Sequence, residues 1–171
     1  YIVSLSADGS VVAIGTAMDD DRWTYSGNVK IYKNDSGTWN QIGGDINGEA
    51  SGDFSGYSTS LSANGSFVAI GSPRNNGNGE DSGQVRIYQN ENGSWNQIGN
   101  DIDGEAEYDQ SGFSVSLSDD GSIVAIGSPF NNGNGNNSGQ VRIFQNNLIQ
   151  TIPENTTAVT TLSLIHISEP T

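Results

Sequence analysis

The chain repeats itself with a period of 56 residues, and this constrains its fold more than any single motif. SLSADGS (4–10) returns as SLSANGS (60–66) and again as SLSDDGS (116–122). The same period carries SGNVKIYKN (26–34) to SGQVRIYQN (82–90) and SGQVRIFQN (138–146), and GTWNQIG (37–43) to GSWNQIG (93–99). A repeat of this size is one supersecondary unit that cannot bury its apolar side chains alone, so it must stack on its neighbours. With 23 Gly and 33% hydrophobic residues the composition alone would suggest disorder, but the regular spacing of the apolar residues points to a folded β protein.

The middle copy reads as short strands separated by turn residues. Residues 57–62 alternate Tyr57, Thr59 and Leu61 with serines, and FVAIG (67–71) is a continuous apolar run that predicts a strand covered on both faces. Residues 84–89 alternate Val85 and Ile87 with Arg86 and Tyr88, and 94–98 contain Trp95. Asn64-Gly65 and Asn92-Gly93 predict tight type I′ hairpins, because Asn and Gly accept positive φ. The fold expected is all-β, a partial β-propeller of about three four-stranded antiparallel blades, with repeats at 1–56, 57–112 and 113–147. Tyr1 aligns with Tyr57, inside a first strand, and three blades leave a ring open, since propellers close with about 4–8. A fragment of a larger propeller is expected.

GYSTSLSANGSFVAIGSP (56–73) and GFSVSLSDDGSIVAIGSP (112–129) resemble the FG-GAP repeat of integrin-α-type β-propellers, with Gly-Ser-Pro where that family has Gly-Ala-Pro. The resemblance implies an extracellular or cell-surface protein active in adhesion, a protein or glycan ligand, and calcium. The family's calcium loop lies in the first hairpin of the blade, here at Asp8, Asn64 and Asp120, and is richer in Asp than these turns. After Asn146 the repeat breaks off. Residues 148–161 are either a Thr-rich linker or the start of a cadherin-like domain, because Pro153-Glu154-Asn155 resembles the opening of such modules, which implies a calcium role for Glu154. LSLIHISEPT (162–171) resembles the translation of an adapter used in transposase-tagged sequencing libraries. It is set aside as foreign, and with it His166, the single histidine.

Charge narrows the function. Six Lys and Arg against 20 Asp and Glu give a net charge of -14, which repels nucleic-acid phosphates and anionic lipid headgroups. No apolar window is long enough to insert in a membrane, and no signal peptide is visible at Tyr1. With no cysteine and the histidine set aside, thiolate and imidazole catalysis are excluded and no enzyme activity is expected. The oxygen donors that remain suit hard cations such as calcium.

Those oxygens recur in one place. If both Asn-Gly turns lie on one face, the longer connections 72–83 and 100–112 share the opposite rim. There Asp45, Asn47, Glu49 and Asp53 match Asp101, Asp103, Glu105 and Asp109. Their alternate spacing around a glycine fits either a weak calcium site or a solvated turn held by Asx hydrogen bonds. Asp19, Asp20 and Asp21 add charge to the same rim. Trp39 and Trp95 share a repeat position and are expected to plug gaps between neighbouring blades, whereas Trp23 occurs once, in a rim loop, and is the candidate ligand contact. The leading reading is a non-catalytic, calcium-assisted adhesion or ligand-binding module. The alternatives are a glycan-acting propeller enzyme using Asp103 and Glu105, and a passive spacer of a surface protein.

Overall fold

The computed structural model describes residues 1–19, 24–145 and 163–166. Asp20, Asp21, Trp23, Glu154 and the cadherin-like segment lie outside the described residues. Among those described there is no helix; every regular element is a strand, and the strands form three antiparallel sheets, one per repeat.

The first sheet orders β1 (Ile2–Leu5), β2 (Val11–Thr16), β3 (Asn28–Asp35) and β4 (Thr38–Gln41), with β5 (Ile46–Asn47) also on β3. The second repeats this with β6 (Ser58–Leu61), β7 (Phe67–Ser72), β8 (Gln84–Glu91), β9 (Ser94–Gln97) and β10 (Ile102–Asp103). The third has β11 (Ser114–Leu117), β12 (Ile123–Ser128), β13 (Gln140–Gln145) and β14 (Ser163–His166). β7 occupies one edge of β8, so β9 and β10 share the other, and β10 is the fourth strand resumed after a break around Gly99. Sequence patterning missed this two-residue continuation because the break interrupts the alternation. Ser163–His166, within the segment set aside as foreign, belong to the third sheet: β14 pairs β13 with Phe144 opposite Leu164, on the strand edge that β4 and β9 occupy in the other repeats. An open strand edge accepts any extended segment that reaches it.

The turns differ in one respect from the sequence pattern. Asn92 (φ 54°) and Gly93 (φ 88°) form the expected type I′ pair. At 62–66 only Gly65 takes positive φ, at 69°, and its N–H donates to Ser62 O at 2.9 Å. That is a type I turn closed by a left-handed glycine, so the type I′ expectation for Asn64-Gly65 is corrected. The reason is the Asn64 side chain, whose Oδ1 accepts from Ser62 Oγ at 2.9 Å, Ser66 N at 2.9 Å and Ser66 Oγ at 2.6 Å, and so favours the longer loop.

Packing follows the pleat. β7 is buried along its whole length, as its continuous apolar run predicted, whereas β2 and β12 bury alternate residues in opposite phase. Val11, Ala13, Val29, Ile31 and Ile46 of the first blade pack on Leu61, Val68, Ile70 and Tyr88 of the second. The other face of the second blade packs Ala69, Val85, Ile87 and Ile102 on Val124, Ile126 and Phe144 of the third. Each repeat is thus a two-sided wedge, and the cores lie between blades. The first strands are neighbours: Leu61 N donates to Ser4 Oγ at 3.0 Å, and Leu117 N to Ser60 Oγ at 2.9 Å. The first hairpins are joined as well, by Ala7 N to Ala63 O at 2.8 Å and Ala63 N to Asp119 O at 2.9 Å. β1, β6 and β11 therefore form the inner side of a partial β-propeller.

Candidate functional site: the loop rim

The long connections of adjacent repeats do share one rim, and their carboxylates are held partly by their own blade and partly by the next. Asp53 is buried; its Oδ2 accepts from Ala50 N at 2.8 Å, Glu49 N at 3.2 Å and Asn75 Nδ2 at 3.2 Å. Asp109 repeats this with Ala106 N at 3.1 Å and Asn131 Nδ2 at 2.8 Å. Burial pushes the Asp53 carboxyl above its ordinary value, against the opposing pull of these hydrogen bonds.

The remaining loop residues form the same ladder. Gln84 Nε2 donates to Glu49 Oε2 at 3.2 Å, and Gln140 Nε2 donates to Glu105 Oε2 at 3.0 Å. Arg86 donates from NH2 to Asn47 O at 2.9 Å and lies 3.5 Å from Glu49 Oε1. Arg142 donates to Asp103 O at 2.7 Å and to Ser111 Oγ at 2.8 Å. Both arginines are buried, and burial pulls the Arg142 guanidinium below its ordinary value while Glu105, Asp109 and Asp103 oppose that shift. Asp103 Oδ1 receives Gln84 Nε2 at a long 3.4 Å. Outside the ladder, Asp45 accepts from Gln41 at 2.6 Å and lies 3.5 Å from Lys30 Nζ, and Asp101 accepts from Gln97 at 2.7 Å.

This arrangement brings Asn47, Glu49, Asp53, Asp103, Glu105 and Asp109 onto one rim but does not gather them into one centre. Among the described residues no three Asp, Glu or His converge as a metal-binding group. Asp8 and Asp120 lie in the first hairpins, where each carboxylate accepts from two serines two residues away on either side. These bonds hold both carboxyls down at about 2. Trp95 fills a gap between blades as expected: its Nε1 donates to Ile42 O at 3.0 Å and its ring packs on the first inter-blade core. It also borders a shallow cleft of about 360 Å³ with Tyr88, Asp45 and Asn47.

Sequence reasoning passed over the aromatic residues that crown the inner strands. Tyr57 and Phe113 open the first strands of their blades, with ring centroids 4.9 Å apart, and Phe130 meets Phe113 edge-on at 6.4 Å. Phe113 and Phe130 remain exposed. At the preceding boundary Phe54 stacks on Tyr25 at 5.8 Å and lies under the Arg74 guanidinium at 4.7 Å. Tyr108 is exposed and donates to Glu80, a pair with no counterpart in the first repeat, where Gly52 and Thr24 stand. The repeated Gly56-Tyr57 and Gly112-Phe113 dipeptides were the available signal.

Residues 102–144 match the family model of the FG-GAP repeat. That segment runs from β10 to β13, and the 56-residue period places the equivalent stretch of the first two repeats at 46–88. FG-GAP repeats are a non-catalytic repeat family. No curated protein matches the chain. Among solved structures, a protein from Bacteroides uniformis assigned as a 6-phosphogluconolactonase is similar, with a TM-score of 0.57, 18% identity, and coverage of 96% of this chain and 39% of the other. The tricorn protease is similar with a TM-score of 0.50, 10% identity and coverage of 96% and 16%. The chain spans less than half the length of either structure, and identities this low carry the fold alone.

Proposed function

We propose that the chain is a non-catalytic, extracellular ligand-binding module of the adhesion type, and that it presents its loop rim to a protein or glycan at a cell surface. The observation that carries this reading is the exposed aromatic group of Phe113 and Phe130 beside Tyr57, on the rim that also bears the acidic loops. Aromatic faces next to hydrogen-bonding carboxylates suit sugar rings and peptide side chains alike. Rigid blades hold these loops in place, which is how loop-borne recognition gains its precision.

Calcium belongs to the proposal as a cation drawn to exposed carboxylates, Glu105 on the rim and Asp101 and Asp45 outside the ladder, which do not converge on one centre. A catalytic reading has less support. Asp103 receives Gln84 from its own blade while Glu105 receives Gln140 from the next, so the two carboxylates are engaged in different directions. A glycosidase needs its pair facing one another across a bond.

Calorimetric titration with calcium chloride, followed by a panel of soluble oligosaccharides and cell-surface proteins, tests the proposal. Binding that weakens in the F113A/F130A variant supports it. Loss of calcium heat and of any chelator-sensitive melting shift removes the cation, and an unchanged ligand affinity in F113A/F130A removes the rim.

A further inference from the structure

The boundary between the first two blades gathers oxygen-bearing side chains around one buried amide. Gln84, on β8, is 3% exposed, and its Nε2 lies 3.2 Å from Glu49 Oε2 of the first blade and 3.4 Å from Asp103 Oδ1 of its own. The oxygen on the same amide carbon therefore stands beside this carboxylate pair, where it is buried with no donor to accept from. Buried polar atoms are ordinarily satisfied, and an orphan among anionic oxygens calls for a positively charged partner.

A second buried amide borders the same place. A Cβ added at Gly77 would lie 2.7 Å from Asp103 Oδ1 and 3.1 Å from Asn75 Oδ1, so the bare glycine keeps open a space that both oxygens line. Asn75 is buried, and its orientation is fixed: Nδ2 donates to Asp53 Oδ2 at 3.2 Å, and Oδ1 accepts from Gly77 N at 2.8 Å. The second lone pair of Oδ1 is left for that space. Gly77 itself is exposed, which gives the space a route to solvent.

The donor set selects the occupant. Carboxylate and amide oxygens are hard ligands, and calcium accepts both in a flexible shell, whereas magnesium demands a strict octahedron and gives up water reluctantly. No third carboxylate joins the pair, in keeping with the absence of any three-carboxylate group among the described residues. Arg86 NH1, 3.5 Å from Glu49 Oε1, engages the other oxygen of that carboxylate and offsets part of the negative charge.

We infer that a calcium ion binds at this boundary through Glu49, Asp103, Gln84 and Asn75 and clamps the first blade to the second. The inference deepens the calcium part of the proposed function and rests on it for the supply of the ion, but it uses residues other than Glu105, Asp101 and Asp45. Four protein oxygens leave the rest of the shell to water, and the nearby guanidinium weakens the site further. Its Kd is expected at roughly 0.1–1 mM, the range of extracellular modules.

Titration of the full 171-residue chain with calcium chloride tests this, read by calorimetry, thermal melts and amide NMR. The expected result is saturable shifts centred on the Gln84 side-chain amide and the Gly77 N–H, with a melting midpoint that rises with calcium and rises less with magnesium. Asp103→Asn and Glu49→Gln keep the side-chain shapes while each removes one charge, and each is expected to weaken binding by about ten-fold. Melts without calcium report whether the variants fold, and Gly77→Ala, which fills the space with a methyl, is a third route to the same loss. Calcium that binds without shifting Gln84 or Gly77 overturns the inference, as does affinity that survives all three variants. Binding that disappears in D45N/D101N but persists in D103N and E49Q overturns this site while leaving calcium in the proposed function. A chain that takes up no calcium removes the ion from both, and the ligand-binding reading then stands or falls on F113A/F130A alone.

Discussion

Asn131 reaches back across the boundary between the second and third blades to Asp109, its amide Nδ2 lying 2.8 Å from Oδ2, with both side chains buried. The same oxygen also caps Ala106 N at 3.1 Å, so one carboxylate fixes its own loop and joins two repeats. Asp109→Ala leaves a buried amide and a backbone N–H without their acceptor, and is expected to destabilise the chain by about 1–3 kcal/mol. Urea unfolding measures it, with Asp53→Ala as the parallel change at the first boundary, where Asn75 donates at 3.2 Å. A loss confined to calcium affinity, with no change in the urea midpoint, contradicts a stapling role for these aspartates.

The hairpin carboxylates set a pH response. Asp8 and Asp120 titrate at about 2 rather than 3.8, so their turns contribute stability that is full above the ordinary value and is lost as pH falls from 3.8 toward about 2. Asp53 works in the opposite sense, because its raised carboxyl relieves a burial penalty as it protonates. Asn64 stands at the equivalent position of the second repeat and makes the same turn without titrating. The double variant D8N/D120N is therefore expected to lose less stability than the parent between those pH values, read as thermal midpoints across the range. Parallel curves for the two proteins refute the assignment.

Much of this architecture was legible because a propeller blade is written in its period. The apolar run of β7 announced burial on both faces, and the Asn92-Gly93 pair announced its turn, since each is decided by local sterics and alternation. The rim was located correctly but its chemistry was only half visible. Asp53 and Asp109 look like ligands when read alone, and their role as staples depends on Asn75 and Asn131, each 22 residues away. Gln84, Arg86, Gln140 and Arg142 sat in plain view within the SGQVRI motif, yet alternation placed them opposite the apolar residues without revealing that the neighbouring loop would accept their hydrogen bonds.

Close backbone approach makes a glycine in the ladder a sharp test. A Cβ on Gly104 would strike the Ser82 carbonyl oxygen and press on Ser111 Cβ, where the loop N–H donates to Gly83 O at 2.8 Å. Neither backbone can yield without breaking the parallel bridge between Gly83 and Ser111. Gly104→Ala is expected to cost roughly 2–3 kcal/mol. Gly44→Ala, with open space around its Cβ and no left-handed φ, is expected to be near neutral in the same denaturation assay.

Trp39 and Trp95 occupy one repeat position in two environments. Trp95 donates to Ile42 O at 3.0 Å across the blade boundary, while Trp39, on the outward face of the first blade, is 44% exposed. Trp95→Phe keeps most of the ring packing but strands a carbonyl oxygen at the boundary, for an expected loss of about 1 kcal/mol. Trp39→Phe removes no such bond and is expected to change the stability of this chain by no more than about 0.5 kcal/mol. Equal losses at the two positions would mean that the hydrogen bond to Ile42 O contributes nothing at the blade boundary, so this pair of substitutions isolates that bond.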